Sequence, residues 1–137
     1  MSNKIFETLR RAAKVALPND LSLDKRGFWL GCIGIRNDGA LVYSKNGASQ
    51  FSDSVKKYQL IPNSHAEGRL LRKLGKYGTI FVSRVSKKDM TLVMAKPCEM
   101  CQVRIKSMNI RKVYYTISET EYGIWEVDID KFITYTL

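Results

Sequence analysis

The sequence predicts a single mixed α/β domain, and three observations carry that expectation. Residues Lys4 to Leu17 place Ile5, Leu9, Ala12, Ala13 and Ala16 at helical spacing, and Pro18 stops the pattern. "GFWLGCIGIRNDGALVYSKNG" then reads as two strands about an Asn-Asp-Gly turn, which supplies the positive backbone angle a hairpin needs. Near the end, "RKVYYTIS" and "GIWEVDI" read as strands parted only by "ETEY". A parallel crossover needs about a dozen residues, so these two strands pair antiparallel. With 45% hydrophobic residues and no linker or composition break, residues 1–137 are expected to form one core.

The remaining elements follow in order. "QFSDSVKKYQLIPN" has no clear period and ends near a proline, so it reads as a loop leading to a helix over Ser64 to Lys76. "TIFVSRV" and "MTLVMAK" flank "SKKD", which fits either one bent strand or a second hairpin. "PCEMCQVRIKSMNI" predicts a helix from Cys98 to Met108 with Met100, Val103, Ile105 and Met108 on its buried face. Pro97 stands just before its start, where proline is tolerated.

The formal charge of +10 is unevenly spread: from Val113 onward five acids face only Lys131, which leaves 22 bases against 8 acids in the first 112 residues. Nucleic acid, nucleotide phosphates and ribosomal surfaces are the usual partners of such a basic surface, and plain solubility is the alternative. Arg69, Arg72, Lys73 and Lys76, on the outer turns of the second helix, are the candidate nucleic-acid face, or simply a solvated one. No run of about 18 apolar residues exists and the N-terminal stretch alternates charged with apolar residues, so a soluble, cytoplasmic protein with no membrane partner is expected. Homo-oligomers remain open. Three cysteines, two of them three positions apart, fit a reducing compartment and a metal or redox role better than a disulfide framework.

The chemistry concentrates at the only histidine, His65, and at Cys98 and Cys101. A histidine opening one helix and a Cys-x-x-Cys opening another supply three ligands for tetrahedral zinc with one corner left over, as a catalytic site requires. A structural site would want a fourth ligand, and Cys32, set in a strand pattern, is the only spare thiol. A thioredoxin-like pair is another reading of Cys-x-x-Cys, but it leaves the histidine unexplained. Ser64-x-x-Glu67 is a literal capping box, so Glu67 has a purely structural reading as well. The combination is more specific than its parts: His65-Ala66-Glu67 and Pro97-Cys98-Glu99-Met100-Cys101, with 32 residues between His65 and Cys98, match the H-x-E and P-C-x-x-C signature of zinc deaminases. Two thiolates formally cancel the metal's charge, so the water at such a site needs a local base, and Glu67 is placed to be one.

On these motifs the chain resembles the cytidine deaminase superfamily from about Gly27 to Thr116. "GCIGIRNDGALVYSKNG" looks like that family's opening strand pair, and "TLVMAKPCEMCQ" looks like the strand entering its cysteine helix. The resemblance implies a three-layer α/β/α sandwich around a mixed five-stranded sheet, with Zn2+ held by His65, Cys98 and Cys101 between two helix N-termini and Glu67 as the catalytic acid and base. It maps a sugar-contacting asparagine onto Asn46, and Cys32 and Ala66 are carried with it as candidate substrate contacts. An antiparallel last strand leans towards the free-cytidine and bacterial-toxin branches, although free-cytidine enzymes commonly carry cysteine in the position of His65. The expected activity is zinc-dependent hydrolytic deamination of cytosine to uracil in a (deoxy)cytidine nucleoside or nucleotide. The rivals are a cytosine deaminase of single-stranded DNA or RNA, and a non-catalytic zinc-containing binding protein of the same fold. The intact Glu67 speaks against the last, since a structural site has no use for a base.

Overall fold

In the computed structural model, residues 3–17, 27–45 and 66–137 are described, with 66–69 as backbone alone. Helix α1 (Lys4–Ala16) starts where Asn3 Oδ1 accepts the Phe6 N–H at 3.1 Å, and it buries the stripe Phe6, Leu9, Ala12 and Ala16. Strands β1 (Phe28–Ile35) and β2 (Leu41–Lys45) form the expected hairpin. Its three-residue loop Asn37-Asp38-Gly39 closes through Gly39 N–H to Arg36 O and Arg36 N–H to Ala40 O, both 2.8 Å. Gly39 alone takes the positive angle, φ +90°, which a side chain there would strain.

Helix α2 (Ala66–Leu74) falls inside the range expected for it, while Ser64 and the segment "QFSDSVKKYQLIPN" lie outside the described residues. Strand β3 (Thr79–Ser86) turns back into the short β4 (Leu92–Val93), with Arg84 opposite Val93 and Val85 opposite Leu92. The second hairpin, rather than one bent strand, is therefore what "SKKD" makes. Helix α3 (Glu99–Ser107) is flanked by Cys98 and Met108 as its caps. Its buried seam is Cys101 and Ile105 with half-buried Met108, whereas Met100 and Val103 are 39% and 67% exposed. The expected buried face was thus rotated: the seam follows the spacing 101, 105, 108, because that side meets the sheet.

Strands β5 (Lys112–Thr116), β6 (Glu121–Glu126) and β7 (Lys131–Thr136) complete one sheet in the order β2-β1-β3-β5-β6-β7, with β4 beside β3. β3 and β5 run parallel; every other described pairing is antiparallel, including the expected β5–β6 pair. The sheet has seven strands where five were expected, because the turn after Ser86 splits off β4 and the chain after Val127 returns as the edge strand β7. The α/β/α layering is as expected. One face packs Trp29, Ile33, Phe81, Tyr122 and Ile124 under α1; the other packs Cys32, Val82, Val113 and Trp125 under Leu70 and Leu74 of α2 and Ile105 of α3.

Close contacts fix these layers. A side chain at Gly31 would run into the Ala12 carbonyl and Ala16, so α1 lies directly on the β1 backbone. The buried Ser83 Oγ donates to Leu9 O at 2.5 Å and satisfies the hydroxyl beneath the helix. At the other end of β5, fully buried Thr116 ties three strands together. Its Oγ1 donates to Val93 O at 2.8 Å and accepts the Arg84 N–H at 3.3 Å, while its carbonyl accepts the Ala95 N–H at 2.9 Å. Thr116→Val keeps the shape but leaves the Val93 carbonyl and the Arg84 N–H without that partner, so urea unfolding is expected to lose about 1–3 kcal/mol. An unchanged midpoint would mean that these bonds add no net stability.

Candidate metal centre and active site

Each of α2 and α3 feeds a strand through a short connection, α2 into β3 and α3 into β5, so each helix runs antiparallel to the strand it precedes. Because β3 and β5 are parallel, both helices start at the same edge of the sheet, beyond the carboxyl ends of those strands. The helices touch, and the Tyr77 N–H donates to Met108 O at 3.2 Å, which ties their far ends together. Open α/β sheets bind ligands at that carboxyl edge, and helix N-termini point unpaired N–H groups at it.

Cys98 is the N-cap of α3, exposed, with extended backbone (φ −67°, ψ 165°) and no side-chain capping bond. Cys101, one turn further in, is 1% exposed. The run into the helix is held by Ala95 N–H on Thr116 O, by Gln102 Nε2 donating to Pro97 O at 2.7 Å, and by Gln102 N–H on Cys98 O at 2.8 Å. Two thiols three positions apart at a helix start share one side of it. No disulfide involves Cys32, Cys98 or Cys101.

A family model described as the cytidine and deoxycytidylate deaminase zinc-binding region matches residues 4–117. The chain belongs to this family. Among curated proteins, no sequence matches it. The family's metal is zinc, and the donor set at α3 suits it: two thiols outside any disulfide, braced by backbone bonds, at a helix terminus that favours negative ligands. No group of three His, Cys, Asp or Glu side chains converges among the described residues.

The other candidates divide. His65 and Asn46 lie outside the described residues, and Ala66 and Glu67 are placed as backbone in the first turn of α2. Cys32 is wholly buried in the core beneath α2 and offers no exposed surface. Arg72 and Lys73 sit in the last turn of α2, with Lys76 just beyond, at the end remote from Glu67; there they complement the helix dipole, and Lys73 Nζ bonds Tyr43 O at 2.8 Å. The aromatics near the last strands are mostly core: Tyr115, Tyr122 and Trp125 are buried, and Tyr114 stacks on Phe81 at 4.6 Å. Burial pushes the Tyr115 phenol up, and the Trp125 indole N–H, 2.9 Å away, with Lys106 holds the Asp130 carboxyl below its ordinary range. Sequence reasoning missed Thr116 and Gln102, whose roles depend on which strands become neighbours. Among the described residues no helix is long and apolar enough to cross a membrane.

The exposures make a reactivity prediction. As a chelator withdraws zinc from the native protein, iodoacetamide is expected to label Cys98 first, with Cys101 and Cys32 protected, and added zinc to suppress Cys98 labelling. Mass spectrometry of the alkylated peptides reads the order, and early labelling of Cys32 would contradict this arrangement.

Proposed function

We propose that the chain is a zinc-dependent hydrolytic deaminase that converts cytosine to uracil in a (deoxy)cytidine nucleoside or nucleotide. The observation that supports it best is the shared edge of α2 and α3: one helix opens on Cys98 and Cys101, the other directly follows His65 and carries Glu67 in its first turn. On this reading His65, Cys98 and Cys101 hold zinc. The metal, when bound, supplies Lewis acidity at the edge where the base enters.

The rest is work for the chain's own groups. Glu67, a carboxylate two positions from His65 and not itself a ligand, takes a proton from the attacking water and passes it to the ring nitrogen next to the amino-bearing carbon. A carbon–oxygen bond forms at that carbon. Glu67 then carries the second proton to the amino group, the carbon–nitrogen bond breaks, and ammonia leaves, so that water and cytosine give uracil and ammonia in balance. Asn46, as a sugar contact, orients the ring against this face; Ala66, next to Glu67, offers backbone rather than side-chain chemistry.

The basic surface alone favours a polynucleotide substrate, but of Arg69, Arg72, Lys73 and Lys76 only Arg69 lies within a turn of Glu67 along α2, while Arg72 and Lys73 stand in its last turn. A strand threaded through the site has no reason to follow them, so the small substrate is the better reading.

Glu67→Gln keeps the side-chain size and most of the capping geometry while removing the base. Zinc content and folding are expected to persist while ammonia release from cytosine substrates drops roughly 100-fold or more. A Glu67→Gln protein as active as the parent would reduce Glu67 to a helix cap and remove the catalytic reading.

A further inference from the structure

Several of the described cations face a carboxylate. Arg10, Arg36, Lys106 and Lys112 lie 3.6, 3.5, 3.3 and 3.8 Å from Glu119, Asp38, Asp130 and Glu126. Arg84 is different. It is half-buried on β3, and its guanidinium carbon sits 4.2 Å from the centre of the Phe28 ring. Among the described residues no carboxylate pairs with it.

Register places this pair on the face and at the edge where the helices begin. Leu30 and Val93 stand opposite Arg84 on its two sides, and Leu30 packs into the core beneath α2 and α3, so Arg84 and Phe28 lie on the helix-bearing face. They lie beyond the parallel segment of β3, at its carboxyl edge, where both helices begin. Cys98 follows Val93 by five residues, a backbone reach of at most about 18 Å. The Arg84 N–H is fixed on Thr116 Oγ1, the same knot that holds the run into Cys98. A guanidinium with one face on an aromatic ring keeps its edge donors in a planar fork, which matches two oxygens of a phosphate.

We propose that Arg84, supported by Phe28, binds the phosphate of the substrate, so that the protein acts on a pyrimidine nucleoside 5′-monophosphate rather than on the free nucleoside. This rests on the deaminase reading and specifies its substrate. The helix N-termini at the same edge add to the attraction for a dianion, and one planar fork suits a single terminal phosphate.

The test titrates full-length, zinc-loaded protein by calorimetry with uridine, deoxyuridine, their 5′-monophosphates and a cytosine-containing oligonucleotide, and follows deamination of the matching cytosine compounds in parallel. The parent is expected to bind one monophosphate roughly 10- to 100-fold more tightly than its nucleoside. Arg84→Gln is expected to erase most of that preference while affecting the nucleoside far less, and Arg84→Lys, which keeps the stem and charge but not the fork, to retain part of it. If Arg84→Gln does not fold, Arg84→Lys carries the comparison. Equal affinity for nucleoside and monophosphate, or a preference unchanged in both variants, overturns the inference. So does an oligonucleotide bound more tightly than either monophosphate and released by Arg84→Gln, since that outcome assigns the fork to a phosphodiester. The binding titrations read the phosphate contact without turnover, so a parent that deaminates nothing counts against the deaminase reading separately.

Discussion

The parallel ladder between β3 and β5, from Thr79 opposite Lys112 to Val82 opposite Tyr115, is the only parallel pairing in the described sheet. Two parallel neighbours require the chain to return across the sheet between them, and here it returns through β4 and α3. The same direction applies to α2, which precedes β3. Two helices that each feed a parallel strand through a short loop must begin at a common edge. The proposed site uses that consequence: Cys98 and Cys101 on one helix and Glu67 on the other belong to segments far apart in sequence, and strand direction brings the two helix starts to the same side.

Direction places the helices only coarsely, and local bonds supply the rest. Thr116, at the last position of β5, links β3, β4 and the residues leading into Cys98. Behind it, Tyr115 covers Gly123, where a side chain would collide with its ring, and Trp125 stacks on Phe132 at 5.4 Å, which ties the edge strand β7 to the core. On the opposite face α1 rests on Gly31 and Ser83, so the sheet is packed from both sides.

What the sequence revealed and what it hid follow from the range of the interactions concerned. The Asn-Asp-Gly hairpin and the β5–β6 pair were legible because a turn and a connection length decide them locally. The buried side of α3 was misjudged because Met100 and Val103 are as apolar as Ile105, and only contact with the sheet tells them apart. β7 escaped because an edge strand that is mostly exposed carries little alternation. The family was legible through the spacing of His65-Ala66-Glu67 and Pro97-Cys98-Glu99-Met100-Cys101. Arg84 over Phe28 was not, because nothing in either segment announces that β1 and β3 will lie in that register.

In the proposed site two helix starts supply one histidine nitrogen and two cysteine sulfurs to a single zinc ion. X-ray absorption at the zinc edge of the purified protein measures that set directly. Two sulfur scatterers at about 2.3 Å and two nitrogen or oxygen scatterers at about 2.0–2.1 Å are expected. A shell of three or four sulfurs would bring Cys32 or a second chain into the site, and a shell without sulfur would remove Cys98 and Cys101 from it; either result contradicts a site of one histidine and two cysteines.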